Sequence, residues 1–415
     1  MHYLALLPLI LLNVAEPTPE ATRSRSVLAV TELRKALETK PVSLAKLAFE
    51  PFANVPLTRA DAATARELIW QAHAANITST RAAEIKDRLL KRGKLEMPFS
   101  MATFGKKPAA GWSLYISLHG GGGAPKAVND QQWENQKRLY KLDEGIYLVP
   151  RAPTNTWNLW HEQHIDVLFG RLIEDLIVLE NVNPDRVYVL GYSAGGDGVY
   201  QLAPRMADRW AAASMMAGHP NGVSLLSVRN VPFALQVGGK DSAYSRNRIA
   251  KEYGAKLDQY QKDDPKGYEH FVKIPENKGH WMDLEDKVAL PWMANFTRNP
   301  IPDRVVWKQT GWGHGQSYWL AVPDGEAKPD SLIVANRAGQ NIDLTEVENM
   351  PTILIRLDDR MMDLDKPVTV KHAGKTLFEG KLSRNIGVML RTLASRGDPK
   401  LIFDAEVRVE LKASK

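Results

Sequence analysis

Arg186-Val187-Tyr188-Val189-Leu190-Gly191-Tyr192-Ser193-Ala194-Gly195-Gly196 is the stretch of this 415-residue chain that decides its fold class. The first five residues are rich in β-branched and aromatic side chains and read as a strand, and a helical pattern follows through Gln201 and Leu202. A bare Gly-x-Ser-x-Gly arises by chance in roughly one chain in ten of this length, so its weight comes from sitting at a strand-to-helix turn. Gly191 and Gly195 let the strand and helix backbones approach where a Cβ would clash, and a strained turn between them presents the Ser193 hydroxyl outward. The helix that follows points its positive end at that hydroxyl, which favours a developing oxyanion. Ser193 is therefore the candidate nucleophile.

A serine needs a base to take its proton. His280 stands in Lys278-Gly279-His280-Trp281-Met282, after a candidate strand from His270 to Ile274. A carboxylate must orient that imidazole, and Asp241 follows the candidate strand Val231 to Val237 through Gly238-Gly239-Lys240. The chain order Ser193, Asp241, His280 is the one used by hydrolases with a serine at such a turn, whereas Asp283 and Glu285 lie on the wrong side of the histidine. Donors for an oxyanion are expected in His119-Gly120-Gly121-Gly122-Gly123, directly after the candidate strand Trp112 to Leu118. One donor is expected from Gly121 or Gly122 and the other from Ala194; His119 reads as a structural part of this loop rather than a second base. The Lys and Ser/Thr of a phosphate-binding P-loop are missing.

Outward from this centre, residues 95–299 alternate short apolar runs with longer amphipathic ones, the order of an α/β fold with a mostly parallel sheet covered by helices. Gly145 to Val149 and Ala211 to Met216 add two further strands, and Ile165, Leu168, Leu172, Leu176 and Leu179 fall at helical spacing. Residues 21–94 read as a helical segment with candidate helices Ala60 to Ala75 and Thr80 to Lys91, a packing layer on the next domain. Its densest basic run, Lys86 to Lys94, reads as one face of a helix. After Asn299-Pro300-Ile301-Pro302 the texture changes, and residues 303–415 are expected to form a separate, small β-rich module. Pro351 to Leu357, Val368 to Lys371 and Leu401 to Leu411 are its strands, Ala373-Gly374 a hairpin turn, and Asn385 to Ser395 its helix.

Taken together, Asn183-Pro184-Asp185-Arg186-Val187-Tyr188 leading into the serine turn, the Gly-rich loop and the Ser, Asp, His order resemble the α/β-hydrolase superfamily. Within it the run looks most like esterases related to polyhydroxybutyrate depolymerases and to feruloyl and acetylxylan esterases. The resemblance covers roughly residues 95 to 299. It implies the α/β-hydrolase fold, hydrolysis of a small-molecule or polymeric carboxylic ester with Ser193, Asp241 and His280 as triad, acyl groups on polysaccharides among the substrates, and no metal or organic cofactor. Two other readings fit the same residues: a peptidase of the prolyl-oligopeptidase-like branch, and a degenerate hydrolase kept as a binding scaffold.

Composition bounds the rest. At 44% hydrophobic and 25% charged residues the chain is globular in character, and its net charge of +6 is spread thinly, without the basic stripe and interleaved aromatics of a nucleic-acid binder. The absence of cysteine excludes disulfides, thiolate metal sites and a Cys nucleophile. Leu4 to Val14 is too short to span a bilayer but fits a signal-peptide core, so residues 1–20 are expected to be a signal peptide and flexible start, and the protein to be exported to the periplasm or beyond. In Pro150-Arg151-Ala152-Pro153-Thr154-Asn155-Thr156-Trp157-Asn158-Leu159-Trp160, Trp157 and Trp160 are candidate substrate contacts, with buried packing the alternative. His161 and His164 lack a third metal ligand and read as surface or capping histidines. Trp307, Trp312 and Trp319 read as core, with a carbohydrate platform as the alternative.

Overall fold

The computed structural model describes residues 19–38 and 43–411. The chain begins there with helix α1 (Pro19–Glu38), a short α2 (Leu44–Leu47) and a long α3 (Arg59–Lys86). α3 is held at its start by Thr58, whose side chain accepts the Asp61 N–H. The two helices expected at Ala60 to Ala75 and Thr80 to Lys91 are thus one. The helix stops at Lys86, and Leu89–Arg92 is strand β1, so the basic run Lys86 to Lys94 is not one helical face. The expected signal-peptide core, Leu4 to Val14, and Ala15 lie outside the described residues. Pro19 and Glu20, expected in a flexible start, already belong to α1.

An eight-stranded sheet follows, made of β1, β2 (Leu95–Phe104), β3 (Trp112–Leu118), β4 (Gly145–Pro150), β5 (Val182–Tyr192), β6 (Ala212–Met216), β7 (Phe233–Gln236) and β8 (His270–Lys273), in the order β1-β2-β4-β3-β5-β6-β7-β8. The pairs among β3 to β8 are parallel; β1 with β2 and β2 with β4 are antiparallel. The central strands are buried on both faces, as the unbroken burial of β4 and β6 shows, because helices cover both sides. Those helices are α4 (Lys126–Gln136), α5 (Gln163–Leu179), α6 (Ala194–Arg205), α7 (Arg246–Asp263) and α8 (Ala289–Met293). α5 buries Ile165, Leu168, Leu172 and Leu176, the stripe its spacing predicts. All parallel strands point their carboxyl ends to one edge, so the loops after β3, β5, β7 and β8 gather there.

The C-terminal region is β-rich. Strands β9 (Arg304–Lys308), β10 (Gln316–Ser317), β11 (Leu320–Ala321), β12 (Leu332–Ala338), β13 (Asn341–Glu348), β14 (Thr352–Leu357), β15 (Val368–His372), β16 (Lys375–Gly380) and β17 (Ala405–Glu410) form a five-stranded and a four-stranded sheet with one helix, α9 (Ile386–Arg396). α9 is capped at its start by Asn385, which accepts the Val388 N–H, and stops at Gly397, whose φ of 59° is the left-handed conformation that ends many helices. Trp307 and Tyr318 lie in the same apolar cluster as Leu202 and Val228, so core packing is continuous from the central sheet into these strands. α1 and α3 pack Leu33, Ala65 and Ile69 against Ile386, Met389 and Leu393 of α9. The N-terminal layer therefore covers the C-terminal helix as well as α5, rather than the following segment alone. No helix among the described residues is long and apolar enough to cross a membrane.

Candidate active site

Ser193 sits between the last residue of β5 and the first of α6 with φ 57° and ψ −121°, a strained backbone for a residue with a Cβ. The turn holds because the flanking residues are small. A Cβ on Gly191 would lie 2.3 Å from the Gly195 carbonyl oxygen, and one on Gly195 would lie 2.1 Å from that of Leu118. The Ser193 N–H donates to the Met216 carbonyl at 2.9 Å, tying the elbow to β6.

The loops after β7 and β8 bring Asp241 and His280 to this hydroxyl. His280 Nε2 lies 2.9 Å from Ser193 Oγ, and its Nδ1 lies 2.7 Å from Asp241 Oδ2. Asp241 is buried and His280 exposed, so the relay runs from the interior to the cleft. The two loops touch across Gly238, where a Cβ would sit 2.0 Å from the Gly279 carbonyl oxygen. Asp283 and Glu285 turn away and pair with Lys278. Three further residues, none of them marked by the sequence, hold the relay. The Tyr192 hydroxyl donates to the His280 carbonyl at 2.7 Å and accepts the Met282 N–H at 3.0 Å. Arg246 Nη1 approaches Asp241 Oδ1 at 3.7 Å, and the Asn247 N–H donates to the Asp241 carbonyl at 3.0 Å. Tyr192 adjoins the serine motif in sequence, but only the fold carries it to a loop 88 residues away.

The glycine loop after β3 packs against the elbow; a Cβ on Gly120 would touch Ser193 Cβ at 3.2 Å. Gly121 and Gly122 both have positive φ, 105° and 77°, a backbone open to glycine. The Gly122 N–H is committed to Asn129 Oδ1 at 2.8 Å, which removes Gly122 from the expected donors. The N–H groups of Gly121 and Ala194 donate to no acceptor among the described residues. His119 is buried; the Ala152 N–H donates to its Nε2, so its Nδ1–H donates to the Gly120 carbonyl. Burial lowers its pKa to about 4, and it serves as a neutral strut under the loop. A cavity of about 530 Å³ opens over the serine, lined by Gly121, Gln132, Leu139, Tyr192, His280 and Trp281 among others.

Strand order, elbow and the gathering of four loops at one sheet edge place the chain in a known class. This is the α/β-hydrolase fold. No family model matches the sequence, and no curated protein matches it. Among solved structures, a thermostable esterase is 18% identical with a TM-score of 0.37, the match covering 51% of this chain and 64% of that one. A ferulic acid esterase is 15% identical with a TM-score of 0.33, covering 50% of this chain and 95% of that one. Enterochelin esterase from Shigella flexneri is 15% identical with a TM-score of 0.37, covering 50% of this chain and 56% of that one. What this chain does is read from its own residues.

The two candidate tryptophans part company. Trp157 is 63% exposed beside Gly123, whereas Trp160 is fully buried, its indole N–H donating to the His119 carbonyl at 2.9 Å. Trp160 is thus a core residue and not a substrate contact, because Leu159 and Trp160 turn inward to seat the glycine loop. His161, expected at the surface, is buried under the Trp157 ring, and burial followed by the nearby Arg205 lowers its pKa to about 4. Trp307 and Trp319 are core; Trp312 alone of that trio is exposed.

Proposed function

We propose that the protein is a serine hydrolase that cleaves carboxylic esters through an acyl-enzyme intermediate. The observation that carries this reading is the continuous relay Asp241, His280, Ser193, with contacts of 2.7 and 2.9 Å at a strained strand-to-helix elbow. Ser193 Oγ attacks the ester carbonyl carbon as its proton passes to His280 Nε2, and the carbonyl electron pair moves onto oxygen. The N–H groups of Gly121 and Ala194 receive that oxyanion, and Asp241 holds the imidazolium through Nδ1–H. The intermediate collapses, the alcohol leaves with the proton from His280 Nε2, and the acyl group stays on Ser193. Water, deprotonated by the same nitrogen, then releases the acid and restores the serine.

The substrate class we infer is an ester bearing a flat aromatic or sugar group, including acyl groups on polysaccharides. Trp281 in the cavity and exposed Trp157 beside the glycine loop support it by offering faces for stacking. Steady-state assays on aryl acetates, feruloyl esters, acetylated xylan and short peptides test the reading. Ester turnover that is lost in His280→Ala is expected. Peptide cleavage in preference to esters would make it a peptidase, and wild-type turnover no greater than that of His280→Ala on every substrate would leave a binding scaffold.

A further inference from the structure

A second cavity, of about 540 Å³, lies on the seam where α5 and α6 meet the C-terminal strands and α9. Six arginines line it, Arg81, Arg171, Arg205, Arg209, Arg356 and Arg396, against the carboxylates of Asp166, Glu174 and Asp324. Five of the six have a carboxylate within salt-bridge contact: Glu174 and Asp175 hold Arg81, Glu84 holds Arg171, Asp166 holds Arg205, Glu406 holds Arg356 and Asp208 holds Arg396. Arg209 is different. Its Nη1 stands 3.7 Å from Asp398 Oδ2, and that oxygen already takes a hydrogen bond from Arg298 at 2.7 Å. The Arg209 side chain is only 4% exposed; Nη2 donates to the Arg396 carbonyl, while Nε and Nη1 have no hydrogen-bond partner among the described residues. The Nε atoms of Arg205 and Arg396 are buried and unpartnered as well. Buried guanidinium donors without acceptors are costly unless an anion supplies them.

We propose that this cavity binds a doubly charged tetrahedral oxyanion, phosphate or sulfate, whose oxygens take the open N–H donors of Arg209, Arg205 and Arg396. The fork of a guanidinium matches such an oxyanion, and three of them converge here from the end of α6, the turn after it and the end of α9. The local field has the right sign. Burial, then the charges of Arg205 and Arg396, depress the pKa of His314 in the same cavity to about 3, and burial, then Arg396, pulls Arg209 down to about 10. The cavity has room for an oxyanion carried on an organic group as well as for the free ion. It is separate from the serine: Ser193 caps the start of α6 and Arg205 ends it, 12 helical residues or about 18 Å apart. A bound oxyanion bridges α6 and α9 and so ties the C-terminal region to the central sheet.

Calorimetric titration and thermal unfolding with inorganic phosphate, sulfate and glycerol phosphate, at an ionic strength held constant with chloride, test this. One saturable site per chain and a melting temperature that rises with oxyanion concentration are expected. Glycerol phosphate binding tighter than inorganic phosphate assigns a carried headgroup; equal affinity assigns the free ion. Arg209→Gln should abolish binding. Because that buried change also threatens folding, the deciding pair is at exposed Ala394 on the cavity wall: Ala394→Glu should weaken binding at least about tenfold, and Ala394→Lys should not. Ser193→Ala should bind as the wild type does. No saturable binding beyond the chloride control, equal affinities in the two Ala394 variants, or loss of binding in Ser193→Ala overturns the proposal.

Discussion

Replacing Tyr192 by phenylalanine keeps the ring against His280 and Trp281, whose centroids lie 6.0 and 5.6 Å away, and removes only the hydroxyl that clamps the His280 loop. Burial pushes the pKa of that hydroxyl well above its ordinary value, so it keeps its proton and donates to the His280 carbonyl. In Tyr192→Phe the N–H of Met282, a fully buried residue, loses its acceptor, at a cost of about 1–3 kcal/mol. The lost bond to the His280 carbonyl removes about 1 kcal/mol more. The loop relieves this cost by shifting outward, and the 2.9 Å contact between His280 Nε2 and Ser193 Oγ loosens with it. A positional penalty of about 1.5–3 kcal/mol corresponds to a kcat lowered roughly 10- to 100-fold, with KM little changed. Steady-state kinetics on an aryl acetate, paired with urea unfolding, measure both effects. A Tyr192→Phe enzyme with kcat within about twofold of wild type and an unchanged unfolding midpoint would refute the clamp.

Other consequences follow from the same geometry. Gly238→Ala drives a Cβ into the Gly279 carbonyl and pushes the Asp241 and His280 loops apart, so ester turnover should fall by more than about tenfold; Gly279→Ala, where a Cβ meets nothing within 4 Å, should fall far less. Similar losses in the two variants would contradict the close approach. His119 has a folded pKa of about 4 against 6.5 when free, so as pH falls the unfolded chain takes up the proton first. The stability it contributes is present above about pH 6.5 and is lost as pH drops towards 4. Urea unfolding at pH 7 and 4.5 should show His119→Gln losing about 2–3 kcal/mol less than wild type over that interval, and equal losses would count against a neutral His119 strut. Trp160→Ala should destabilise by about 3–5 kcal/mol. Trp157→Ala should change stability by no more than about 0.5 kcal/mol while raising KM for feruloyl or sugar esters. The reverse pattern, or no change in KM, would remove Trp157 from the substrate path.

Much of the central sheet is legible in the chain because its buried strands are short apolar runs bounded by turn residues, as Trp112 to Leu118 and Gly145 to Val149 illustrate. β1 and β2 are not, since they are the antiparallel edge: Lys91, Arg92 and Glu96 face solvent, and four charged residues beside a long helix look like more helix. Ser193, Asp241 and His280 can be picked out because a parallel sheet sends successive strand ends to one edge, and chain order then fixes which loop carries which group. The supporting contacts lie beyond sequence reasoning. Nothing local distinguishes Trp157 from Trp160, three residues apart in a loop without periodicity, yet one faces water and the other fills the core. Gly121 and Gly122 are equally permissive, and the choice between them rests on where Asn129 of α4 places its carbonyl. The arginine-lined cavity is likewise invisible in the chain, because its guanidiniums come from α3, α5, α6, β14 and α9 and meet only after folding.

The central claim is that Ser193 is the activated nucleophile. Intact-protein mass spectrometry after treatment with a fluorophosphonate measures this directly, since only a serine whose proton is taken by a neighbouring base reacts quickly with it. One phosphonyl adduct per chain is predicted, located on the peptide that contains Ser193, slowed strongly in His280→Ala and absent in Ser193→Ala. An unlabelled wild-type protein, or a Ser193→Ala variant that labels as fast as wild type, contradicts the account.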